Sequence, residues 1–364
     1  MDFGLSQEQV LFRQTLRRFL EERCPTTRVR AIMESETGHD PDLWRELGEL
    51  GLQGLAVPES RGGAGQELLD LALASEELGY ACTPGPFLGS ALASVALGAA
   101  SDSFADLLSD IAAGRVLATV AFGEDGSEWD PEAWKTEVRR GRLSGEKPLV
   151  LYASEADVFV VGARDSEGPA LWVALRSASG VRIDRLEGVD ATRRVARVRF
   201  ENTPAERIGG REAAERLLDA GSVLVAADAY GGARRCLDMT LRYVLEREQF
   251  GRPIGSFQAV KHQLADLATD LEPALSLWWY AAHAFDHIPE DASRHASLAK
   301  AHLSDLFDRT ARTAVELHGG IGFTWEYDLH LWFRRAIFDR GFFGDAAFHR
   351  ARVARLAGWS KRSA

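Results

Sequence analysis

The chain has 364 residues, with 43 Lys+Arg against 54 Asp+Glu and a formal net charge of -11 at pH 7. An acidic balance without clustered cations excludes a phosphate backbone as the main ligand, so no nucleic-acid partner is expected. A chain of this length buries several sub-cores arranged as two or three domains, and Cys24, Cys82 and Cys236, odd in number and widely spaced, fit a reducing cytoplasm better than a disulfide framework.

The amino terminus, MDFGLSQEQV, has no basic run leading into an apolar one and does not read as a signal peptide. Ser6-Gln-Glu-Gln9 is a capping-box pattern, and Phe12, Leu16, Phe19 and Leu20 recur at helical spacing behind it. Helices are expected again from Asp42 to Leu50, stopped by Gly51, and from Glu67 to Leu78, with the glycine-rich Arg61-Gly-Gly-Ala-Gly65 as a plain loop between them. That loop lacks the Lys-Ser/Thr of a phosphate cradle and follows no strand. The apolar stretch Pro86 to Ala100 is interrupted by Gly and Ser and is shorter than the roughly 20 residues a bilayer requires, so no membrane span is expected.

From about 115 to 208 the period changes to short β-rich runs: Val116–Phe122, Leu149–Tyr152, Asp157–Val161, Leu171–Leu175 and Arg194–Phe200. After Pro204 helical patterning returns, with one long helix from about Glu212 to Glu246 and a second in which Phe257, Val260, Leu264, Leu267 and Leu271 are spaced as a bundle seam. The expectation is an α+β chain in three parts: an N-terminal α-bundle over 1–114, a small middle β-domain (barrel or sandwich) over 115–208, and a C-terminal four-helix bundle over 209–364.

Two segments are sharper than this order of elements. In Tyr243-Val-Leu-Glu-Arg-Glu-Gln-Phe-Gly-Arg-Pro-Ile-Gly-Ser-Phe-Gln-Ala-Val-Lys-His262, Arg247 ends a helix and runs into a turn at Phe250-Gly251, with Pro253 and Gly255 fixing the loop. A guanidinium fork held in that way suits a diphosphate. In Leu317-His-Gly-Gly-Ile-Gly-Phe323 the paired glycines let a ligand approach the backbone closely. Together these segments resemble the most recognisable parts of the acyl-CoA dehydrogenase family, and the helical, β and helical order resembles that family along the whole chain. The resemblance implies FAD as cofactor, an acyl-CoA thioester as substrate, an electron-transfer flavoprotein or similar acceptor, and a cytoplasmic enzyme. It also implies that Arg247, Phe250, Gln258, Glu316, Gly319 and Gly320 contact an FAD bound mainly by a neighbouring subunit.

Other parts of the family pattern are missing. Most members place the Glu that removes the thioester α-proton directly before a Gly-Thr pair; matching Gly344-Asp345 to that pair leaves Phe343, which can accept no proton. Other members carry the Glu on the long helix, where the count leads to Gly221. Asp228, Asp339 and Asp345 remain as substitute candidates. The two stretches that hold the flavin ring in the family are replaced by Ala121-Phe-Gly-Glu-Asp-Gly-Ser127 and Val150-Leu-Tyr-Ala-Ser154, with Gly145-Glu-Lys147 expected as the turn between them.

Across-interface residues kept and ring-holding residues eroded imply a partner chain of the same family. The chain resembles the α2β2 acyl-CoA dehydrogenases of actinobacterial steroid catabolism, with one FAD per αβ pair. An independent homomeric dehydrogenase using one of the three Asp residues, or a non-catalytic scaffold subunit, are the alternatives. His283 and His287, four apart on a helix, offer a metal pair without a third ligand, and Ile288-Pro289 ends the helix beside them. His318 either lines a cofactor cleft or packs internally.

Overall fold

Ser6 opens the first helix with a complete capping box. In the computed structural model, which describes residues 4–100, 102–125 and 129–359, its hydroxyl accepts from the Gln9 amide and the Gln9 side chain accepts from the Ser6 amide, each at 3.1 Å. Helices α1 (Gln7–Arg23), α2 (Thr26–Glu34), α3 (Pro41–Glu49), α4 (Leu68–Tyr80), α5 (Phe87–Gly98) and α6 (Ala105–Ala112) form the first part. The apolar stretch after Pro86 is α5, a buried 12-residue core helix. No helix among the described residues is long and apolar enough to cross a membrane.

The middle part is one eight-stranded sheet. Its strands are β1 (Ala118–Ala121), β2 (Glu137–Arg139), β3 (Arg142–Leu151), β4 (Val158–Asp165), β5 (Gly168–Leu175), β6 (Val181–Leu186), β7 (Val195–Pro204) and β8 (Glu206–Gly209), in the order β6-β7-β3-β2-β4-β5-β8 with β1 parallel to β4. The run Val158-Phe-Val-Val161 shows no polar alternation because both faces of β4 are covered. Val158 and Val160 join the core shared with the helices, and Phe159 and Val161 a second core with Leu143, Val198 and Phe200. Gly145-Glu-Lys147 lies within β3 rather than in a turn, beside a register shift between Leu143 and Gly145. The strands β2 and β6 have no clear sequence signal, since Glu137–Arg139 and Val181–Leu186 are short, charged and mostly exposed.

Among the described residues the last part holds α7 (Arg211–Glu246), then a two-residue hairpin of β9 (Glu248–Gln249) and β10 (Arg252–Pro253), then α8 (Gln258–His287), α9 (Pro289–His318), α10 (Leu329–Gly341) and α11 (Ala346–Leu356). α7 is the central element, packed on α9 and α4. Because α8 runs back along α7 and α9 returns, the end of α7, the start of α8 and the end of α9 meet at one end of the bundle.

Candidate functional site

That shared end carries the six expected cofactor contacts. Arg247 caps α7, and its carbonyl accepts from the Ile254 amide at 2.8 Å, closing the β9–β10 hairpin. The hairpin's two loop residues, Phe250 (φ 56°) and Gly251 (φ 75°), both lie in the left-handed region, as a two-residue hairpin turn of this hand requires. Phe250 is 92% exposed, and Gln258 is the exposed first residue of α8. Glu316 stands exposed on the last turn of α9, and beyond it Gly319 and Gly320 have nothing within 4 Å of where a Cβ would sit. Tyr243, one turn before Arg247, ties the two segments together. Its ring stacks on His318 at 4.2 Å and its hydroxyl donates to the His318 carbonyl at 3.3 Å.

His318 is a packing residue. Its Nδ1 lies 2.7 Å from the Ala314 carbonyl and its Nε2 3.1 Å from the Tyr327 hydroxyl, and burial lowers its pKa. His287 contacts Glu67 at 2.9 Å and stacks on His283, and no metal-binding group of side chains occurs among the described residues.

Among the described residues Arg247 has no ion pair or side-chain hydrogen bond within the chain, so its guanidinium is available outward. A free fork at the same end of the bundle as an open glycine backbone suits a diphosphate.

The inward cleft has a different character. Phe343 and Gly221, the two positions to which the family's base would map, are in contact: a Cβ on Gly221 would lie 2.2 Å from Phe343 Cε1. The Phe343 ring stacks on Phe122 (centroids 5.6 Å, 29°) and on Trp129 (5.2 Å, 27°), with Phe342 edge-on at 5.2 Å. Phe122 belongs to the altered ring-holding stretch, of which Gly126 and Ser127 lie outside the described residues. Its loop is fastened by a buried ion pair. Glu124 accepts from Lys147 Nζ (2.9 Å) and from the Lys135 and Thr136 amides (2.6 and 2.9 Å), while Lys147 also donates to the Phe122 carbonyl at 2.9 Å. Burial brings the Lys147 amine down to about 8 against the pull of Glu124. In the second altered stretch, Tyr152 turns inward, its hydroxyl accepting from the Gly85 amide (2.7 Å) and donating to the Thr192 carbonyl (2.9 Å). The inward residues therefore do not fit a flavin ring.

The three carboxylates considered as substitute bases have other partners. Asp228 is buried on α7 against two guanidiniums, Arg193 at 2.6 Å and Arg335 at 3.1 Å. Burial alone would raise its pKa, but these cations bring it below the ordinary value. Asp339, one turn after Arg335, is fully buried, and its pKa is pushed well above the usual carboxylate range by burial and by the Asp228 charge. Asp345 caps α11, accepting from the Phe348 amide at 2.8 Å. Arg193, Arg335 and Asp190, which joins Arg335 at 2.7 Å, complete a buried network with no sequence signature, because its members are spread along the chain from the sheet to α10.

Comparison with known proteins places this geometry. The description "Acyl-CoA dehydrogenase, N-terminal domain" matches residues 6–115 and "Acyl-CoA dehydrogenase, C-terminal domain" matches residues 209–358. The chain is 37% identical over 333 residues to acyl-CoA dehydrogenase IpdE2 of Mycolicibacterium smegmatis, covering 91% of this chain and 93% of the relative. Among solved structures, the Tcur3481-Tcur3483 steroid ACAD is 31% identical with a TM-score of 0.91, over 97% of this chain and 98% of that one. The ChsE4-ChsE5 complex from Mycobacterium tuberculosis is 27% identical with a TM-score of 0.91, over 99% of this chain and 100% of that one.

Proposed function

The chain belongs to the acyl-CoA dehydrogenase family, and from that premise we propose that it is the cofactor-completing subunit of a heteromeric, FAD-dependent acyl-CoA dehydrogenase whose catalytic base lies on a homologous partner chain. The observation that carries the reading is the contrast between its two faces. The end with Arg247, Gln258 and Gly319-Gly320 is open, whereas on the inward side Phe343 is packed on Gly221, Asp228 is ion-paired and Asp345 caps α11.

FAD supplies the hydride acceptor for forming a 2,3-enoyl-CoA from an acyl-CoA, while a carboxylate of the partner takes the α-proton. This chain's residues bind and orient. Arg247 gives a forked cation to the diphosphate, Gln258 and Glu316 provide polar contacts beside it, Phe250 covers it, and the Gly319 and Gly320 backbone approaches without side-chain hindrance. The similar structure described as a steroid ACAD supports a bulky polycyclic thioester as the substrate class. An electron-transfer flavoprotein or similar acceptor is the proposed electron sink.

The test is to purify the chain alone and with a homologous partner chain. The expected result is a colourless protein alone and a yellow, active complex; a yellow, active protein from this chain alone overturns the reading. Arg247→Ala in the complex is expected to lower flavin affinity by roughly 10- to 100-fold, the loss of one desolvated charge-assisted contact. Unchanged flavin content would instead favour a scaffold role, which the closed cleft by itself also allows.

A further inference from the structure

In a working cleft of this family the thioester must lie between a base and a flavin ring, so there has to be space between the β-domain loop and the α10–α11 turn. In this chain the space is filled. We propose that its own cleft is a permanent aromatic plug, with Phe343 as ring and Gly221 as socket, which excludes both a flavin and an acyl group and fastens the β-domain to the helical bundle in their place.

The inference deepens the reading above, making the chain's own site a built structure rather than a decayed one. Phe343 is 2% exposed, so its ring is fully engaged. Phe122 and Trp129 come from the loop between β1 and β2, and Phe342 and Phe343 from the turn after α10, so the stack bridges two domains. Phe343 has φ 59°, the left-handed region, which a bulky residue enters only when its surroundings enforce it. They do so through buried donors: Lys300 Nζ donates to the carbonyls of Asp339 (2.9 Å) and Gly344 (2.8 Å), and His349 Nε2 donates to that of Phe343 (2.8 Å). Gly221 sits inside α7, where glycine costs helix stability relative to alanine. The contact with Phe343 supplies the reason: an alanine methyl would occupy the ring's volume, and the ring, stacked on its neighbours, has nowhere to go.

The experiment compares Gly221→Ala, Phe343→Ala and the double variant in the co-purified complex, reading apparent Tm and FAD per pair by absorbance. Gly221→Ala is expected to lower Tm although alanine is the better helix former. Phe343→Ala is expected to lower it by roughly 5 °C or more, as for a large core truncation. The double variant should be no less stable than Phe343→Ala alone, because the added methyl fills space the ring has left. If Gly221→Ala does not fold, rescue by Phe343→Ala is the supporting result. FAD should stay at one per pair in the unaltered complex and in Gly221→Ala, which keeps the ring in place. Additive losses, a neutral Gly221→Ala, failure of rescue, or a second FAD in the unaltered complex would each overturn the plug. The 221/343 coupling does not depend on flavin, so its failure is distinguishable from an Arg247 result that overturns the reading of the outward face.

Discussion

Glu76 is fully buried on α4, and among the described residues neither of its carboxylate oxygens has a hydrogen-bond partner; Arg13 stands 3.8 Å away. Burial, and then the charge of neighbouring Glu77, raise its pKa from 4.5 to about 7, against the opposing arginines. For an acid whose folded pKa is raised, both states are protonated below about 4.5 and the group costs nothing there. Between that value and about 7 the unfolded chain loses its proton while the native one keeps it, so stability falls as pH rises and the full cost stands above about 7. Glu76→Gln is therefore expected to stabilise the protein at pH ~8 by on the order of 3 kcal/mol at most and to have little effect at pH ~4, judged from denaturant midpoints at both values. An equal effect at the two values would overturn this assignment. Individual residues were the hardest to assign from the sequence. Asp228, Asp339 and Asp345 were chemically equivalent candidates there, and only their surroundings separate an ion-paired carboxylate, a buried acid with a raised pKa and a helix cap.

At the scale of elements, the approach of α4 to α7 depends on two glycines. A Cβ on Gly231 would lie 1.9 Å from the Glu76 carbonyl oxygen, and one on Gly79 would lie 2.2 Å from that of Asp228, in both cases backbone that cannot swing aside. Gly98, at the end of α5, has nothing within 4 Å of its Cβ position. The same substitution should thus have opposite signs. Gly231→Ala is expected to destabilise by about 3 kcal/mol, while Gly98→Ala is expected to be neutral or to stabilise by up to about 1 kcal/mol, measured as shifts of the urea midpoint at constant m-value. Equal effects at the two sites would deny the close helix contact. Elements with strong periodicity or caps were legible in the sequence, including the α1 capping box, the extent of α7 and the buried seam of Leu264, Leu267 and Leu271 on α8. Those without them were not. β2 and β6 are short, charged strands, at most partly buried apart from Val138, and are held by their neighbours.

The molecule exposes large apolar side chains near the end that carries Arg247 and Gly319-Gly320: Leu245 (69%), Phe250 (92%), Ile321 (43%), Phe323 (75%) and Trp325 (46%). Trp325 is also held in place, stacked on His330 at 4.6 Å with Arg30 over its ring, and Arg30 is in turn paired to Asp328 at 2.8 Å. A rigid exposed Trp beside apolar neighbours has the character of an interface anchor. Phe323→Ala with Trp325→Ala is expected to weaken association with the partner at least ~10-fold while leaving the Tm of the isolated chain nearly unchanged, because exposed rings add little to the fold. Sedimentation at graded concentrations measures the first and calorimetry the second. Unchanged association would place the partner elsewhere.

The sequence by itself determined the family and the helical, β and helical order, and it singled out the two contiguous segments near Arg247 and Gly319, since each rests on local signals of periodicity and turn residues. It also left Phe343 and Gly221 at the two positions where the family's Glu would be expected, as two separate absences. Only the tertiary structure decided that these absences are one contact, with the ring of one filling the space left by the other beneath Phe122 and Trp129. The reason is physical: periodicity and motifs report neighbours along the chain, whereas close packing is set by residues brought together from distant elements, and a cavity or its filling exists only once they have met.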